Sequence, residues 1–357
     1  MLVREAKDVA RQWVEDQAAS LPGFRGAYFA GSINWIPDDA DLARTSDVDV
    51  MVVLDDVAEP SAKPGKLLHR GIILDVTHLS ADRFHQAEQI LSDFQLAGGF
   101  RVPSVIADPS GHLTRLQTEV SREFARREWV RKRCENARKH ALRYLGALHQ
   151  PRPAWPTPRP EAPQLHDQVT VWLFGTSMTT QVLLLAGLRN PTVRRRYVDA
   201  RELLAEYGHS DFYETLLDML GCADLSQERT RQHLVALAEA FDAAKTVIKT
   251  PFFFASDISD AARPIAIDGS RELIEQGLHR EAVFWIVATY SRCQGVFFRD
   301  APELRGRFDP GYRELLADLG IASFSDLERR TRQVEELLPQ VWEVAEAIMV
   351  ANPAIED

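Results

Sequence analysis

Cysteine is scarce: three residues in 357, at 134, 222 and 293, are odd in number and too widely spaced for a disulfide framework or a CxxC zinc site. That scarcity fits a reducing cytoplasm. Surplus positive charge is also missing, since 42 Lys and Arg stand against 52 Asp and Glu for a formal charge of −10. A protein that grips nucleic acid through its phosphates needs the opposite balance, so nucleic acid is not an expected partner. An acidic face can instead draw in a cationic substrate. Long apolar runs are missing as well. The opening MLVREAKDVARQWVEDQAAS carries charge in every turn, unlike a signal peptide, and no later stretch reads as the roughly 18 apolar residues of a membrane span. The expectation is a chain neither exported nor held in a membrane. With 45% hydrophobic and 26% charged residues, it can fill two or three packed cores.

Val3, Ala6, Val9, Ala10, Trp13 and Val14 fall at helical spacing and predict a first helix, stopped by Pro22 and Gly23. Short β-type runs follow at Gly26 to Ala30, Val48 to Leu54 and Ile72 to Val76. From about Leu113 the pattern becomes amphipathic helix. The class is therefore α+β: a mixed-sheet domain over 1–112, then helical domains over 113–250 and 251–357. QPRPAWPTPRPEAPQ holds six prolines between 150 and 164, too many for a helix interior, and predicts an extended connector. The helical part also resembles itself. RELLAEYG at 201–208 recurs as RELLADLG at 313–320, Trp172 and Gln181 recur as Trp285 and Gln294, and RTRQ at 229–232 recurs at 330–333. Three matches in one order predict a duplicated helical unit over 165–250 and 280–350.

The chemistry concentrates in FAGSINWIPDDADLARTSDVDVMVV. Asp47 and Asp49 stand two apart in a β-type run, so they leave the same face of a sheet and can converge on one cation. Such a pair repels itself unless neutralised, and magnesium suits hard carboxylate and phosphate oxygens. Asp75, in the apolar run IILDV, is a carboxylate in a strand where an unpaired charge is costly. On a neighbouring strand it completes a cradle for two Mg2+ ions. Gly31 and Ser32 follow a strand at a turn where bare backbone lets N–H groups approach phosphate oxygens.

A strand, a Gly-Ser turn, two acids two apart and a third on another strand resemble the polymerase-β-like nucleotidyltransferase superfamily. The 14-residue spacer Ile33 to Ser46 is longer than usual there and carries Asp38, Asp39 and Asp41, read as a solvated loop. Residues 25–205 are similar in layout to the kanamycin nucleotidyltransferase type of aminoglycoside-modifying enzymes, through GGFRVPSVIADPSGHLTRLQTEV and TVWLFGTSMTTQVLLLAGLRN. That resemblance implies a general base at Glu135 and a phosphate contact at Lys139 in RKRCENARKHALRYL, although an ordinary surface Glu–Lys pair has the same spacing. It also implies a dimer, or a monomer in which the second helical copy stands in for a partner.

The expected activity is magnesium-dependent transfer of a nucleoside monophosphate, AMP from ATP or another nucleoside triphosphate, to a hydroxyl of a small acceptor such as an aminoglycoside. Asp47, Asp49 and Asp75 hold metal, Gly31, Ser32, Arg44 and Lys139 hold nucleotide, and Glu135 takes the acceptor proton. The alternatives are nucleotidylylation of a protein or tRNA and a non-catalytic nucleotide-binding module. His69, His78, the basic run at 126–133 and the aromatic PFFFASD at 251–257 read as structural.

Overall fold

The computed structural model describes residues 1–57, 63–149, 164–190 and 192–357, so the proline-rich connector, apart from Gln164, lies outside the described residues. The chain divides into two compact units. One comprises Met1–Asn136, Asn190–Thr192 and Pro353–Asp357, the other Ala137–Arg189 and Val193–Asn352.

The first unit contains α1 (Val3–Asp16), β1 (Phe24–Ala30), β2 (Val48–Leu54), β3 (Gly65–His69), β4 (Ile72–Ser80), α2 (Ala87–Ser92), α3 (Ala97–Phe100), β5 (Val105–Ala107), α4 (His112–Glu123) and the start of α5 (Arg127–Gly146). The five strands are ordered β3-β4-β2-β1-β5. β2 and β4 run parallel while the other pairs are antiparallel, so the sheet is mixed. Alternation sorts its faces. Val48, Val50, Val52, Leu74 and Val76 share one core with the α1 stripe Val3, Ala6, Ala10 and Val14. On β1, Ala27 and Phe29 join that core, while Tyr28 between them makes ring contacts with Phe84 and Phe100 instead.

The predicted strands are present, β1 and β4 being longer than expected. β3 and β5 were not anticipated, because GKLLH and VIA are short and lack the apolar alternation that marks a strand. Residues 113–136 belong with the sheet unit rather than with a helical domain starting at 113. α4 packs on α2 and α3, and the buried Arg133 of α5 donates to Leu91 O at 3.0 Å and Phe124 O at 2.6 Å. The chain end returns to this unit, Arg127 N donating to Glu356 O at 2.7 Å.

The second unit is helical: α6 (Leu165–Ala186), α7 (Arg196–Glu206), α8 (Ser210–Leu220), α9 (Gln227–Val247), α10 (Gly269–Glu275), α11 (His279–Asp300), α12 (Arg305–Asp318) and α13 (Phe324–Ala351). The expected break at 250/251 does not divide it. α6 packs on α13, α11 packs on α9, and α6 and α11 pack on each other, so the segments on either side of 250 share one core. The aromatic run at 251–257 packs on α11, with Arg292 4.3 Å from the Phe254 ring centre. Contrary to the sequence reading, α6 is by length and composition apolar enough to cross a membrane; 89% of that window is buried inside the unit, as in a core helix. Cys134, Cys222 and Cys293 are all buried, and none forms a disulfide.

Candidate metal centre

Asp47 immediately precedes β2, Asp49 lies within it, and Asp75 is the direct partner of Asp49 on the parallel strand β4. Their neighbours Val48, Val50, Leu74 and Val76 face the α1 core, which sends all three carboxylates to the opposite face of the sheet. One oxygen from each lies within 4.8 Å of the others. No other group of three His, Cys, Asp or Glu side chains among the described residues converges in this way.

The turn meets the acids directly. Ala30 pairs with Asp49 across β1 and β2, so Gly31 is the first residue beyond the paired strand. Gly31 has φ +65°, and a Cβ there would lie 1.9 Å from Asp49 Oδ2. Only glycine fits both the left-handed backbone and the carboxylate pressed against it. The long spacer therefore loops out without displacing the turn from the acids. Ser32 continues the same short helical turn, its carbonyl accepting from Trp35 N at 2.9 Å. Asp38, Asp39 and Asp41 are exposed, as expected of a solvated loop, and Lys7 pairs with Asp38 at 2.7 Å.

Two lysines missed in the sequence complete the cluster. Lys66 is opposite Asp75 in the β3–β4 register, lies 3.0 Å from Asp47 and also bonds Asp75. Lys63 lies 2.7 Å from Asp75 Oδ1 but donates its hydrogen bond to Oδ2 at 2.9 Å. Asp75 Oδ1, although buried, thus accepts no hydrogen bond of its own. No sequence signal pointed to them, since the β3 stretch GKLLH is short and lacks apolar alternation. Two ammonium groups against three carboxylates leave a local excess of negative charge. Asp49 registers it: burial first, then repulsion from Asp47 and Asp75, pushes its carboxyl up to about 8, against the opposing pull of Lys66 and Lys63.

These residues fit a divalent cation. Converging carboxylates with one oxygen lacking a hydrogen bond, beside bare backbone, form the hard-oxygen donor set magnesium takes. A further feature passed over in the sequence is Trp35, next to the turn. It is 40% exposed, with the Arg101 guanidinium 5.3 Å from its ring centre.

Among the described residues, Arg44, Glu135 and Lys139 form no ion pair with the three carboxylates. Arg44 is exposed in the loop between β1 and β2. Glu135 and Lys139 lie on α5, where Glu135 pairs with Arg131 at 3.6 Å rather than with Lys139, which is exposed. The basic run is largely ion-paired along the chain, Arg126 with Glu123 at 2.6 Å and Arg127 with Asp357 at 2.6 Å. His78 is partly buried, which lowers its pKa. His69 Nε2 is buried without a hydrogen bond. No family model matches the chain, and no curated protein matches it significantly.

Proposed function

We propose that the protein is a magnesium-dependent nucleotidyltransferase that moves a nucleoside monophosphate, AMP if ATP is the donor, onto a hydroxyl of a small acceptor. The observation that carries this reading is the convergence of Asp47, Asp49 and Asp75 against the bare backbone of Gly31. Magnesium held by the three carboxylates supplies charge neutralisation at the reacting phosphate and lowers the pKa of an attacking oxygen. Gly31 and Ser32 admit phosphate oxygens to backbone N–H groups. Lys63 and Lys66 exchange carboxylate for phosphate partners and hold the negative charge that leaves with pyrophosphate. The Trp35 face stacks on the nucleobase. Arg44 and Lys139 are further phosphate contacts in this reading, and Glu135 takes the proton of the acceptor hydroxyl. Most of the acceleration comes from positioning and fixed charge.

The helical unit is read as a duplication, giving a monomer with an internal pseudo-dimer. Support comes from reciprocal packing: the first long helix of each copy, α6 or α11, lies against the last helix of the other, α13 or α9. Trp172 and Trp285, which match in the two copies, both keep a buried indole N–H without a hydrogen bond.

The test is incubation with α-labelled nucleoside triphosphates and magnesium, with aminoglycosides and simpler hydroxylated amines in one arm and protein or tRNA in another. Label on a small acceptor, absent with Asp47→Asn, upholds the reading. Label on protein or tRNA alone transfers it to a macromolecular acceptor, and absence of both label and nucleotide binding leaves a non-catalytic module.

A further inference from the structure

A guanidinium placed in a protein interior requires a reason. It carries five N–H donors and a permanent charge, and burying that charge without an anion is costly. Arg196, the first residue of α7, is 7% exposed. Its one hydrogen bond goes from Nη1 to the hydroxyl of Ser177 on α6, at 2.7 Å. The Phe284 ring centre lies 5.8 Å away. Among the described residues no carboxylate pairs with it. The neighbouring Arg194 and Arg195 do have partners: Arg194 donates to Ile265 O at 3.0 Å, and Arg195 lies 3.5 Å from Asp199.

The fold does not need a charge at this position. Arg196 stands five residues before RELLAEYG, and Phe308 stands five before RELLADLG. Phe308 is also buried, stacked on Phe297 at 4.9 Å. The partner positions correspond too. Ser177 lies five residues after Trp172 and Tyr290 five after Trp285, and Tyr290 donates to Phe308 O at 3.3 Å. The matching positions thus hold an apolar ring in one stretch, its backbone carbonyl bonded by Tyr290, and in the other a cation bonded only through its side chain to Ser177. Phe174 and Tyr197 flank Phe284 at 5.6 and 6.0 Å, and Tyr144, which is partly exposed, lies 6.3 Å from Phe174. Apolar rings thus lead from the surface toward the cation. The start of the 11-residue α7 adds the positive end of a helix dipole.

We infer that Arg196, with Ser177 and the flanking aromatic rings, forms a binding site in the helical unit for the carboxylate or phosphate group of a small organic ligand. The guanidinium fork holds the oxyanion through paired charge-assisted hydrogen bonds, and the rings receive the apolar body behind it. The site is independent of nucleotidyl transfer.

Calorimetric titration of the full chain at constant chloride, with inorganic phosphate in one arm and benzoate in the other, tests it. Saturable binding of at least one probe is expected, weakened about tenfold or more in Arg196→Met as charge-assisted hydrogen bonds are lost. Binding should survive in Asp49→Asn, which alters only the sheet unit. Stronger binding of benzoate assigns a carboxylate with an aromatic body; stronger binding of phosphate assigns a phosphate group. No saturable binding of either probe overturns the proposal, as does unchanged affinity in Arg196→Met. Binding lost in Asp49→Asn but kept in Arg196→Met places the anion at the acidic cluster and overturns it equally. Should Arg196→Met fail to fold, Arg196→Lys keeps the charge and loses the fork, and affinity equal to wild type then counts against the site.

Discussion

Arg133 in the sheet unit and Arg196 in the helical unit are buried alike, and burial lowers both guanidinium pKa values to about 10. Their surroundings differ. Arg133 joins two elements through the carbonyls of Leu91 and Phe124 and lies 4.1 Å from the Phe124 ring centre. Arg196 has one hydroxyl and a more distant ring. The acidic cluster is the mirror case: three carboxylates gathered around two lysines, with the Asp49 carboxyl pushed upward by burial and by its two acidic neighbours. Arg133 thus has two backbone acceptors, although its Nε is buried without one, whereas Arg196 has a single hydroxyl.

The largest expected effect breaks the acidic side of this comparison. Asp47→Asn should lower nucleotidyl transfer by roughly a thousandfold, about 4 kcal/mol of barrier, with little change in melting temperature; steady-state kinetics and a thermal melt read the two quantities. If Asp47 were architectural, the melt would shift and residual activity would remain. The arginine pair comes next. Arg133→Met should destabilise the protein by about 3 kcal/mol in urea titration, because two carbonyls lose their donor, while Arg196→Met should stay within about 1 kcal/mol of wild type or exceed it. Equal losses would erase the distinction.

Gly31→Ala should cost about 2 kcal/mol, from the left-handed backbone and the collision with Asp49, and should weaken magnesium binding measured by calorimetry. The subtlest test is pH. The Asp49 carboxyl is raised from 3.8 to about 8, so between those values the folded state binds a proton that the unfolded state has lost. Metal-free stability should therefore fall as pH rises through that window, by at most ~1.4 kcal/mol per pH unit for one proton, and the coupled carboxylates share the transition. Asp49→Asn should flatten the slope and be the more stable protein near pH 8, as chelator-treated thermal melts at pH 5 and pH 8 would show.

The cluster was legible because its information is local. Asp47 and Asp49 two apart in VDVMVV define one face of a strand wherever that strand is placed, and IILDV is a strand by its own composition. Lys63 and Lys66 were not legible, since β3 is a five-residue strand whose burial comes from its neighbour rather than from its own pattern. The boundary near residue 112 failed for a related reason: an amphipathic stripe on α4 and α5 announces that it will be covered, without naming α2 and α3 as the cover. Likewise α6 is apolar enough to read as a membrane helix by composition, and its burial in the helical core depends on α11 and α13.

By itself the sequence determined the α+β class, three of the five strands, and the face from which Asp47 and Asp49 project, because strand alternation and helical spacing are properties of the local chain. Tertiary structure alone decided that Asp75 stands beside Asp49, that Gly31 touches the same carboxylate despite a long spacer, and that Arg196 is buried with a hydroxyl as its one hydrogen-bond partner. Register, close approach and desolvation arise between segments distant in sequence, and they decide whether a charged side chain is solvated, paired or held for a ligand.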